Sequence, residues 1–305
     1  MPRSFADLDG VMWQLVRRLY YEDKVEEALF EASKLGGHDG SGRDNNYLYA
    51  EAETRREGTP LKLRPWLTLE VIESEISEHL QPIGEILGSE CEALSRQFRW
   101  DNSEATWVTI LPKGVEAPWM PGRWGYFIDK VPYDKICLPY HLVLDLPELR
   151  RTIRHEFMHD ITLNLSQGRA SLWVEEAFST YAEDRFVPGH WVGFQKGALD
   201  WLNPNELNTM LSNDHRQPHL HASISTAYSQ ANFIARYLDA KFSSLTFGDF
   251  LTTLGHKTLL ETVGEGLFSR SPVDTALHKV YHRSEGQVFA EALEWVKATR
   301  LSSGA

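Results

Sequence analysis

The sequence predicts an α+β chain, and three observations predict it. Thr106 to Leu111, Gly125 to Ile128 and Lys135 to Leu138 are short strand-like runs set apart by Pro, Gly and Trp. From Leu146 onward the apolar residues recur every three or four positions, the period of a helix. Strands gathered ahead of helices are the order of an α+β domain, not of a doubly wound sheet. The chain has 305 residues, enough to bury a core without disulfides or metal staples.

Composition narrows the functional classes. Hydrophobic residues make up 42% and charged residues 24%, which excludes a disordered chain, a collagen and a coiled coil. No apolar run approaches the roughly 20 residues that span a bilayer, so no membrane partner is expected. The net charge of −12 repels phosphate backbones and argues against nucleic acid. With only Cys91 and Cys137 there is neither a disulfide framework nor a cysteine zinc cluster; both read as small buried hydrophobes. Residues Met1 to Asp9 lack the basic and apolar regions of a signal peptide. A soluble, cytoplasmic protein is expected.

The elements follow in order. Met12, Leu15, Leu19, Val25, Ala28 and Leu29 predict helix over 11–33. Gly36 to Asp44 reads as a loop, and the boundary is set after residue 62: an N-terminal helical segment and linker over 1–62, the main domain over 63–300. Thr68 is the expected N-cap of a helix with Leu69, Ile72, Ile76, Leu80, Ile83 and Leu87 on one stripe, kinked at Pro82 and ended by Gly88. The three strands come next. The Trp-rich run from Trp100 to Trp124 reads as core packing or a partner surface.

The next helix carries the chemistry. Asp145 with Glu148 makes a capping-box-like start, and Leu146, Leu149, Ile153, Phe157, Ile161 and Leu165 form one apolar face. His155 and His159 are four apart and project side by side. Two imidazoles so placed can bind one divalent ion, and Glu156 can reach a water on it without being a ligand. This is the H-E-x-x-H pattern of zinc hydrolases. Catalytic zinc takes a third protein group. The stripe Trp173, Ala177, Tyr181, widened by Val174 and Phe178, predicts a second helix closed by Pro188 and Gly189. A carboxylate on its inward face, Glu175 or Glu176, would complete the set. His215, His219 and His221 form a polar cluster read as a solvated loop.

Trp173 to Glu183 resembles the W-L-N-E-G-F-A-S-Y-x-E helix of the gluzincin metallopeptidases of the aminopeptidase-N type, the peptidase MA-like group. The resemblance runs over roughly residues 65–297. It implies a zincin, thermolysin-like catalytic domain with a small mixed sheet, zinc-site helices and a helical C-terminal part around Ala276, Leu277, Phe289 and Trp295. It places Glu176 at the ligand glutamate and Glu175 at the family's asparagine. Sixteen residues lie between His159 and Glu176, a shorter connection than the family's. Thr180 falls at a small polar position one turn on, with an implied role behind the ligands. Ala227 to Leu238 is similar to the family's later helix and matches Tyr228 to the tyrosine that donates to the oxyanion.

The resemblance implies a zinc (Zn²⁺) peptidase acting on a peptide or protein substrate. Its metal ligands would be His155, His159 and Glu176, its general base Glu156 and its oxyanion donor Tyr228. The strand at Lys135 to Leu138 is a candidate edge for an extended substrate. The aminopeptidases' G-A-M-E-N string is missing, so endopeptidase and aminopeptidase both stay open. The alternative is a binding or scaffold protein that kept the fold and lost catalysis.

Overall fold

The computed structural model describes residues 14–299, apart from 17, 35–50, 52–53, 73–75, 77, 103, 114–124, 129–132, 213–220 and 257–270. The expected loop at Gly36 to Asp44, Trp119 and Trp124, and the side chains of the His215, His219 and His221 cluster lie outside the described residues. The chain divides into two compact units, residues 1–92 with 102–156 and residues 93–101 with 157–305. The broad class is α+β, with a small mixed sheet and mostly helix.

The first unit is built on a five-stranded sheet: β1 (Thr59–Lys62), β2 (Leu67–Val71), β3 (Thr106–Ile110), β4 (Tyr126–Ile128) and β5 (Asp134–Leu138), in the order β1-β2-β3-β5-β4. Strands β2, β3 and β5 are parallel; β1 and β4 run antiparallel on the two sides. All five residues of β2 and all five of β5 are buried, the pattern of strands covered on both faces. The three strands expected after residue 100 form, each to within a residue. The boundary set after residue 62 falls where β1 ends, and Lys62 pairs across it with Thr68 of β2.

Several local expectations are corrected. Leu67–Val71, expected to open a helix at Thr68, is strand β2. Leu69 and Ile72 fit a helical stripe, but a short run buried at every position suits a sheet interior equally well. Helix starts later: α1 (Val25–Ser33) precedes the sheet, and α2 (Leu80–Phe98) links β2 to β3, a crossover that parallel pairing requires. Pro82 lies in the first turn of α2, where its missing N–H costs nothing. Gly88 does not stop α2; the stripe Ile83, Leu87, Cys91, Leu94, Phe98 stays buried through it. A Cβ on Gly88 would sit 2.9–3.0 Å from the Arg64 guanidinium, so glycine there serves packing. The expected helix over 11–33 is interrupted before α1, at Asp23, whose φ is 60°. The expected substrate edge at Lys135 to Leu138 is also corrected, because β5 is flanked on both sides by β3 and β4.

A closed polar network lies within this unit. Lys135, fully buried on β5, donates to Glu51 (2.5 Å) and to Glu70 of β2 (3.2 Å). Tyr20 donates to the other Glu51 oxygen at 2.7 Å, and Thr109 of β3 donates to Glu70 at 2.8 Å. Arg55 pairs with Asp23 and donates to the Tyr133 hydroxyl at 3.1 Å; that hydroxyl in turn donates to Asp23. Burial alone would lower the Lys135 pKa, but the negative charge of Glu51 and Glu70 outweighs it and holds the ammonium above its ordinary value.

Helices follow: α3 (Leu146–Ser166), α4 (Leu172–Ala182), α5 (Pro188–Gln195), α6 (Pro204–Ser212), α7 (His221–Phe242), α8 (Phe247–Gly255), α9 (Pro272–Tyr281) and α10 (Glu285–Ala298). In the second unit α4 packs along α7, and α8 packs on α9. Pro188 does not close α4. The helix ends at Ala182, Asp184 turns with φ 56°, and Pro188 opens α5 in the first turn that suits it. Trp191, Phe194, Phe233 and Val296 make an aromatic-rich core in this unit. Among the described residues no helix is long and apolar enough to cross a membrane.

Candidate metal centre

Helix α3 forms for local reasons. Asp145 accepts the Glu148 N–H at 3.1 Å, satisfying one of the unpaired donors of the first turn. Leu149, Ile153, Phe157 and Ile161 are four apart and 0% exposed. That stripe sets the rotation of the helix about its axis. It leaves His155 and His159 half-buried one turn apart, with Glu156 buried beside the first histidine.

Helix α4 is held by large side chains. Phe178 meets Phe98 at 6.0 Å, Phe247 at 4.8 Å and Phe250 at 5.9 Å between ring centroids. The Trp173 indole donates to Glu285 at 2.7 Å, and the Trp173 backbone N–H donates to Asn208 at 2.9 Å. At the other end the Tyr181 hydroxyl donates to Asp239 of α7 at 2.8 Å. These contacts fix the helical phase, and Glu176 follows from it.

The Glu176 carboxylate lies 3.8 Å from His159 Nε2. One ligand atom each from His155, His159 and Glu176 lies within 4.8 Å of the others. Two imidazoles and a carboxylate are a donor set of catalytic zinc, which holds three protein groups and leaves a fourth position open. Ligand atoms stand about 3.4 Å apart around a tetrahedral zinc, so small side-chain rotations close the set. Glu175, the rival ligand, is outside this group; burial pushes its carboxyl pKa up.

The remaining expected residues fall as follows. The Thr180 hydroxyl donates to the Glu176 backbone carbonyl at 2.6 Å. Tyr228 is half-buried on α7, the helix that packs along α4.

Two further groups were not singled out from sequence. The Ser229 hydroxyl and His190 Nδ1 are 2.7 Å apart, and burial lowers the His190 pKa. Gly125 lies against Glu156. Neither carries a local signal, because both contacts join residues far apart in sequence.

No family model matches the chain, and no curated protein or solved structure matches it.

Proposed function

We propose that the protein is a zinc-dependent peptidase built on a zincin-like, thermolysin-like arrangement. The observation that carries this reading is the convergence of Glu176 with His155 and His159. A chance H-E-x-x-H string has no reason to gather a third ligand from another helix. The donor chemistry suits zinc and leaves room for one more ligand.

Bound there, zinc supplies a Lewis acid that acidifies water toward neutral pH and polarises a carbonyl. Glu156 is the base. Its carboxylate takes a proton from the water whose oxygen attacks the peptide carbonyl carbon. It then delivers that proton to the nitrogen as the C–N bond breaks. The phenol of Tyr228 donates a hydrogen bond to the oxygen that gains charge. Among the described residues strand β4 is an edge of the sheet and suits an extended peptide added as a further strand. The substrate class is therefore an unfolded segment or flexible loop of a peptide or protein.

The test is zinc per chain, measured by mass spectrometry on protein purified without chelator or metal-affinity resin, then after zinc reconstitution. About one zinc per chain is expected. Glu156→Gln should keep that zinc and lose turnover by about 10²–10⁴-fold. Peptides with blocked and unblocked amino termini then separate endopeptidase from aminopeptidase. Absence of zinc from both samples refutes the reading and leaves a binding or scaffold role.

A further inference from the structure

Gly125 is buried and stands one residue before the edge strand β4. A Cβ on it would lie 2.7 Å from Leu138 Cδ2, 3.0 Å from Thr152 Cγ2 and 3.1 Å from Glu156 Cγ. Leu138 is 0% exposed and Thr152 2%, so neither has open space to move into. At Gly125 the backbone therefore passes close to α3 at two positions one turn apart, Thr152 and Glu156. Only a residue without a side chain permits that approach.

We propose that Gly125 is a positioning residue for the general base, an inference that rests on the peptidase reading. Its lack of a side chain leaves the space beside which the Glu156 side chain packs. The Glu156 atom nearest that space is Cγ, which sets the direction of the carboxylate. The fit is made on folding and not during turnover. The same contact ties the carboxylate to the strand along which an extended substrate lies. One glycine thereby sets the spacing between the base and the scissile bond.

The experiment is Gly125→Ala, alone and combined with Glu156→Gln, with a crystal structure of the single variant. The expected result is a kcat lower by several-fold up to about 10-fold, since relieving the 3.1 Å approach moves Glu156 by less than the full ångström that would cost about 10²-fold. KM and zinc per chain should stay within about twofold of wild type. In the Glu156→Gln background the added methyl should cost nothing further, since the residual turnover no longer uses the carboxylate. In the crystal, Glu156 Cγ should be displaced while the backbone of α3 stays in place. An unchanged kcat overturns the proposal, and so does an equal loss in both backgrounds, which would mark a general distortion. If the wild type binds zinc but cleaves no peptide, the peptidase reading fails. The crystal structure then decides the contact alone, and an undisplaced Glu156 overturns it.

Discussion

Two clusters of ionisable side chains in this protein are built in opposite ways. Around Lys135, acids and bases are interleaved: Glu51, Glu70 and Asp23 meet an ammonium, a guanidinium and three hydroxyls. The carboxylates there are met by the chain's own cations and hydroxyls. At α3 and α4, lone-pair donors of three residues converge within 4.8 Å of one another. The first cluster comes with its cations supplied and is a fastening. The second has the composition of a ligand set and suits a cation from solution. The difference teaches that burial of charge alone does not mark a functional site; the kind of group gathered does.

The largest expected effect tests the fastening. Lys135→Met leaves Glu51 and Glu70 buried without their shared ammonium, and should cost about 3–5 kcal/mol of unfolding free energy. Urea unfolding measures it; a loss below about 1 kcal/mol would mean that water reaches the network and the contrast is overdrawn. Next comes the chemistry of the second cluster. Tyr228→Phe should lower kcat by about 10²–10³-fold, or 2.7–4 kcal/mol, with KM little changed. An unchanged kcat would return Tyr228 to a packing role.

Zinc itself should stabilise the second cluster and leave the first indifferent. At a hundredfold excess over its dissociation constant it should add about 2.7 kcal/mol, read as a rise in Tm. Glu176→Ala should abolish that rise while Glu175→Ala keeps it; the reverse pattern would reassign the ligand.

The smallest effect concerns pH. Burial and the hydrogen bond to Asp239 push the Tyr181 pKa from 10 up to about 12. A raised folded pKa means that its contribution is complete below pH 10 and falls away as pH climbs from about 10 to 12. Tyr181→Phe should flatten the stability curve in that window, and an unaltered slope would show that the hydroxyl is solvated.

How much of this was legible in sequence depends on the range of the interactions. Helices α3 and α4 announce themselves because i, i+4 neighbours touch within the element. His155, Glu156 and His159 were therefore placed by spacing on one helix, while the choice of Glu176 over Glu175 came from the resemblance to the gluzincin helix. Strands β3, β4 and β5 were bounded by Pro and Gly. The stretch from Thr68 misled because Leu69, Ile72 and Ile76 satisfy helical spacing while Leu67–Val71 satisfies a buried strand. Only pairing with β1 and β3 decides between them. Gly88 read as a stop because its neighbour Arg64 lies 24 positions away.

The sequence by itself determined which residues carry metal-ligating groups and the helical phase of each, because helical phase is a property of the local chain. Tertiary structure alone decided that Glu176 stands 3.8 Å from His159, that Lys135 is enclosed by Glu51 and Glu70, and that Gly125 lies on Glu156. Those distances follow from how whole elements pack, and close packing is set by the shapes of side chains remote in sequence.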